Sequence, residues 1–391
     1  MNPKFLELSR SQLSVSWKKS QYNHYSDKRK QSFQKCLETL FDTLMTINFS
    51  APEFKKDDLR FFRKVLEFFK GSLALLDNNT ISSVPHEIIE CLNTAAKQWM
   101  PDFDEYIIVM EDGPYAIKPQ VEDVRMFYVS LKAKLGVEFK YILLSVSMPR
   151  QLTRDYLTNV CLFHELGHFV DTKFKISEGV IVDVFYLWNG PQKNEIEKWF
   201  MSVCPPFLNA AKQGMPPIYI SSDYTKFFLM EYFADLFGAQ YVDANYLHYL
   251  EYLTNDLNAD DMMHPSFNKR KAMYEDFCKK PDANCILKLL FEKTLSLTGY
   301  GLTKRYVNLD NSDMLGLIPS VLNTPDEMLS IFKMGWDVYK SGSSEIERRN
   351  NLTGQLEPDK LYDIVNNLIE KSISNYLTLR DWNKAKSLIE T

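Results

Sequence analysis

The segment CLFHELGHFVD (161–171) places the tightest constraint on how this chain can fold. It lies within TRDYLTNVCLFHELGHFVDTKF, where apolar residues recur at helical spacing, so it reads as a buried helix carrying His164, Glu165 and His168. Polar groups buried in this way cost free energy unless a partner satisfies them. Two histidines four residues apart share one helix face, one turn above the other. Their imidazoles can then converge on a tetrahedral zinc ion, which takes nitrogen ligands at about 2.0–2.1 Å. Glu165 stands about 100° round the helix. There it lies beside the ion, placed to accept a proton from a zinc-activated water. Asp171 falls on the histidine face and is expected among the residues that surround the ligands.

A zinc site of this kind needs one more protein ligand. One known spacing would put a histidine at 174 and a glycine at 171, but these positions hold Phe174 and Asp171. The segment FFLMEYFADLFGAQYV (227–242) offers a better donor. It is almost wholly apolar, yet Glu231 and Asp235 lie four apart on one face. Two acids on a buried stripe repel each other and need a positive partner nearby. Glu231 is therefore expected to complete the metal site, with Asp235 accepting a hydrogen bond from a ligand histidine and fixing its tautomer. Glu178, Glu195 and Glu197 are weaker candidates, since their surroundings read as solvated surface. His24, His86 and His248 have no ligand-like spacing.

The rest of the chain narrows the setting. At 391 residues it has room for about two or three domains, or one large core with appendages. A net charge of −5 lacks the basic footprint of a nucleic-acid partner. The six cysteines include no Cys-x-x-Cys pair, which suits free thiols in a reducing compartment. The N-terminus has no apolar signal-like run, and no stretch of about 18 apolar residues suggests a membrane span. These features lead to the expectation of a cytoplasmic protein.

Periodicity predicts helices over 33–47, 58–76 and 85–99, and short β-rich runs between about 104 and 148. Helical patterning resumes at 151 and holds almost to the end, with breaks at 189–191, 204–206, 214–217 and 341–344 and a helical tail including 358–374. The expected fold class is α+β, mainly α. Three regions are expected: an N-terminal helical region (1–103), a catalytic domain (104–290) and a C-terminal helical region (291–391). The two helical ends offer possible interaction surfaces.

H164ELGH168 and E231YFAD235 together resemble the gluzincin metallopeptidases of the CaaX prenyl protease and HtpX type, which pair His-Glu-x-x-His with a downstream Glu-x-x-Ala-Asp. H264PSFNKR270 also matches, with its His-Pro and an arginine six residues after the histidine. The resemblance covers about 110 residues, 160–271. It implies a zincin-like core with a small sheet packed on the HELGH helix, and Zn2+ held by His164, His168 and Glu231 with Glu165 as base. It further implies that His264 faces the substrate carbonyl or developing oxyanion, and that Arg270 holds the Glu231/Asp235 region or the substrate. Members of that type are often membrane-embedded, so this chain would be a soluble relative and a prenylated substrate does not carry over.

The expected activity is zinc-dependent hydrolysis of a peptide or protein substrate, with a narrow range suggested by the large helical flanks. The alternative is a zinc-stabilised binding or scaffold protein that does not cleave, although a structural site has no use for Glu165 as a base. The run YILLSVSM (141–148) has two readings: an edge onto which an extended peptide adds as a strand, or a core strand serving only the fold.

Overall fold

The computed structural model describes residues 2–25, 27–79, 85–120, 123–188, 190–191, 193–194, 196, 217–253, 257–258, 260, 264–279, 284–352, 354 and 356–389. It is mainly helical with one three-stranded sheet, and it divides into two compact units. One comprises Met1–His86 and Met100–Thr153, the other Glu87–Trp99 and Arg154–Thr391.

The first unit begins with α1 (Pro3–Ser20), α2 (Lys28–Thr46) and α3 (Lys56–Asp77). The side chains of Asn2 and Asp27 accept hydrogen bonds from Lys4 N and Arg29 N, so each satisfies an otherwise unpaired N–H at the start of its helix. Apolar residues at spacings of three and four, Phe33, Leu37, Leu40 and Leu44 in α2, form the buried stripe that the sequence predicts. α4 (His86–Lys97) follows, and all but its first residue belongs to the second unit.

The first unit is completed by β1 (Tyr106–Asp112), β2 (Ala116–Pro119), α5 (Val124–Leu135) and β3 (Ile142–Met148). The strand order is β1-β3-β2. Tyr106 of β1 stands opposite Ile142 in a parallel pairing, and β2 runs antiparallel on the other side. Ile107, Val109 and Leu143 join the core of the first three helices. β3 is buried along its whole length and hydrogen-bonded on both sides, which corrects the edge-strand reading of 141–148. Its continuous apolar run exists because the strand is central, and it has no open edge to receive a peptide.

The second unit carries α6 (Cys161–Phe174), α7 (Ile176–Trp188), α8 (Pro217–Val242), α9 (Asn245–Leu253), α10 (Phe267–Lys279) and α11 (Cys285–Thr298). After these come α12 (Ser312–Leu315), α13 (Pro325–Ser341), α14 (Ser343–Asn350) and α15 (Pro358–Ile389). α6 and α8 cross antiparallel at very close range. A Cβ added at Gly167 would come within 2.8 Å of Ala234 Cα and 2.9 Å of Phe237 Cβ, while one at Gly238 would lie 3.5 Å from His164 N. Small residues at this crossing let the two backbones approach.

The C-terminal helices brace the entry to α6. Trp336 Nε1 of α13 donates to Leu157 O at 2.9 Å, and Asn366 Oδ1 of α15 accepts from Leu157 N at 3.0 Å. Between α11 and α12 the expected helical pattern gives way to a segment without regular secondary structure. It is fastened to α8, since Arg305 N and Tyr306 N both donate to Gln240 O and Thr303 N donates to Gln240 Oε1. The expected breaks at Asn189 and over 204–216 lie outside the described residues. Among those described, no helix is long and apolar enough to cross a membrane.

Candidate metal centre

α6 presents His164 and His168 on one face, with ring centres 4.5 Å apart and planes nearly perpendicular. α8 meets that face with Glu231, Ala234, Asp235 and Gly238, spaced three and four apart along one stripe. His168 Nε2 lies 3.1 Å from Glu231 Oε1, and His164 Nε2 lies 3.5 Å from Glu231 Oε2. A tetrahedral ion with ligands at about 2.0–2.1 Å separates neighbouring ligand atoms by about 3.3 Å, and the two observed distances bracket that value. One donor atom from each of His164, His168 and Glu231 falls within 4.8 Å of the others, so this buried trio can hold a metal ion. Two imidazoles and a carboxylate also suit zinc chemically.

Around the trio is a charged network. His164 Nδ1 lies 3.0 Å from Asp235 Oδ1. Arg270 grips the same carboxylate in a bidentate fashion, donating Nε to Oδ2 at 2.6 Å and Nη2 to Oδ1 at 2.5 Å. Its Nη2 also stands 3.3 Å from Glu231 Oε2. The repulsion between two acids on one stripe is thus relieved by a buried guanidinium as well as by the histidines. Burial would raise the Glu231 carboxyl, but the His168 hydrogen bond and the charges of His164 and Arg270 outweigh it and bring its pKa down to about 2. Asp235 is likewise held below the usual carboxylate range: burial opposes this, and Arg270 and His164 overcome it. Burial also disfavours charge on His168, yet Glu231, Glu165 and Asp235 together raise its pKa.

Glu165 is partly exposed beside the trio, with its pKa raised mainly by burial and held back by His164 and His168. His264 is half-exposed, and its Nε2 lies 3.8 Å from Glu231 Oε1. The turn that places it is fixed by Asp260, which accepts from Ser266 N at 2.8 Å and pairs with Lys269. Arg270 follows on the first turn of α10.

Asp171 serves the helix that follows. Its Oδ1 accepts from Ser177 N at 2.7 Å and so caps α7, while His168 Nδ1 has no hydrogen-bond partner among the described residues. The cause is local: Lys175 adopts a left-handed conformation (φ 56°) at the end of α6, which turns the first N–H groups of α7 toward Asp171. Glu178 is paired at the surface with Lys226 at 2.7 Å, and Glu195 and Glu197 lie outside the described residues.

Sequence reasoning missed Tyr246. Its ring stacks on the His164 imidazole with centres 5.5 Å apart and planes 15° from parallel, and its hydroxyl accepts from Arg270 Nη2 at 3.3 Å. Within ANYLHYLEYL nothing separates this tyrosine from its neighbours. No protein-family model, curated protein or solved structure matches the chain.

Proposed function

We propose that the protein is a zinc metallopeptidase of the gluzincin type, with a zincin-like centre, acting on a peptide or protein substrate. The observation that carries this reading is the convergence of His164, His168 and Glu231 with Glu165 beside them and partly open to solvent. His164, His168 and Glu231 would hold the zinc. When bound, zinc supplies Lewis acidity toward a carbonyl and toward water. Glu165 takes the proton from the attacking water and returns it to the leaving amine. His264 faces the same carboxylate from the more exposed side and donates to the oxyanion that develops on the substrate. Arg270 holds Asp235 and Glu231 in place and stays out of the chemistry.

The test is cleavage of a mixed peptide library by the zinc-loaded protein, read by mass spectrometry beside Glu165→Gln. Cleavage by the wild type and its loss in Glu165→Gln, with metal content unchanged, is the expected result. A fully loaded wild type that cleaves nothing in the library or among intact proteins overturns the peptidase reading and leaves a metal-stabilised binding protein.

A further inference from the structure

We infer that Tyr246 is a positioning residue for the metal ligand His164: its ring fixes the imidazole plane, and its hydroxyl ties that plane to the Arg270–Asp235 pair. This rests on the metal-binding part of the proposed function and not on peptide cleavage.

Several independent features bring Tyr246 to this place. α8 ends at Val242, and Asp243 turns the chain in the left-handed region with φ 58°. Asn245 then fastens the start of α9 to α13, donating Nδ2 to Asp337 Oδ1 at 2.9 Å and to Lys333 O at 3.3 Å. The next residue is Tyr246, only 1% exposed, whose ring is returned to the crossing of α6 and α8. The ring packs directly on α8, where a Cβ added at Gly238 would sit in ordinary contact with it, 3.7 Å from Tyr246 Cδ2.

Packing alone would be met by phenylalanine, yet this ring carries a hydroxyl within hydrogen-bond reach of the guanidinium that neutralises both site carboxylates. The stacking also supplies something that Asp235 does not. Asp235 meets His164 at the single atom Nδ1, about which the ring can still turn, whereas the flat face of Tyr246 restricts the imidazole plane. Outer partners that orient ligand histidines typically govern metal affinity by roughly 10–100-fold.

The experiment compares zinc affinity, by chelator competition, and the visible absorption of the cobalt(II)-substituted protein across wild type, Tyr246→Phe and Tyr246→Leu. Tyr376→Leu, at a buried tyrosine of α15 in the same unit, controls for general loss of stability. Tyr246→Leu is expected to lose roughly 10–100-fold in affinity and to change the cobalt spectrum. Tyr246→Phe keeps the stack, so its spectrum stays that of the wild type while its affinity falls several-fold. Tyr376→Leu should leave both readouts alone.

A folded Tyr246→Leu with wild-type affinity and spectrum overturns the inference, as does an equal change in Tyr376→Leu. If Tyr246→Leu does not fold, unchanged affinity in Tyr246→Phe overturns the hydroxyl's role and a shifted spectrum overturns the ring's. A wild type that takes up no metal sinks this inference and the metal reading together. A wild type that binds metal but cleaves nothing sinks the peptidase reading alone.

Discussion

Arg270 is buried against two carboxylates, and removing it would leave both without their guanidinium. Breaking a buried pair from one side typically costs about 3–5 kcal/mol. Arg270→Met should therefore destabilise the metal-free protein by about that amount in a denaturant melt. Arg270→Lys should recover little, because an ammonium cannot reproduce the two-pronged grip on Asp235.

The same cluster sets a pH dependence for the metal-free protein. Glu231 has its pKa lowered from an ordinary 4.5 to about 2, so its contribution to stability is present above pH 4.5 and is lost as pH falls through 2. His168 is raised above 6.5, so its contribution is present below that value and is lost as pH rises through its folded pKa. The difference in melting temperature between wild type and Glu231→Gln should then be greatest between pH 4.5 and 6.5 and shrink on either side. A difference that is flat from pH 3 to 9 would show that these two groups are not coupled.

His164, Glu165, His168, Glu231 and Asp235 were legible in the sequence because their four-residue spacing interrupts apolar helices. Arg270 was legible only through the resemblance. Tyr246 and the capping role of Asp171 depend on how chain turns fold back, and spacing along one helix does not encode that.

At the level of elements, the crossing of α6 and α8 depends on side chains that are missing. A Cβ at Gly167 meets backbone and a Cβ, neither of which can swing aside as the end of a flexible side chain could. Gly167→Ala should cost about 1–3 kcal/mol through overpacking, and should weaken metal binding by moving His164 and His168 away from Glu231. Unfolding and metal titration of the same sample would check both. Ala is otherwise the better helix former, so a stabilised Gly167→Ala would mean the helices are not in close contact.

Strong amphipathic periodicity made α2 and α3 readable in advance. β2 is too short to announce itself at four residues, and α5 exposes Met126 and Val129 on its outer face, which blurs its pattern. The irregular segment after Gly299 is not legible in the sequence because its partner, Gln240, lies about 60 residues earlier in the chain.

At the scale of the whole molecule, the region after 290 reads from sequence as a separate helical appendage. In the fold, α13 and α15 supply Trp336 and Asn366 to the segment leading into α6. Asn366→Leu should leave the buried Leu157 N–H unpaired, at a cost of about 1–3 kcal/mol. Amide exchange should then speed up in α6 while α1–α3, in the other unit, keep their protection. Equal loss of protection in both units would show that they unfold as one.

The central claim is that the three converging donors exist to hold an ion. Zinc content by elemental analysis on purified wild type, Glu165→Gln and Glu231→Gln tests it most directly. The account predicts one zinc per chain in the wild type and in Glu165→Gln, and loss of zinc in Glu231→Gln. A wild type that remains without zinc even after reconstitution would contradict it.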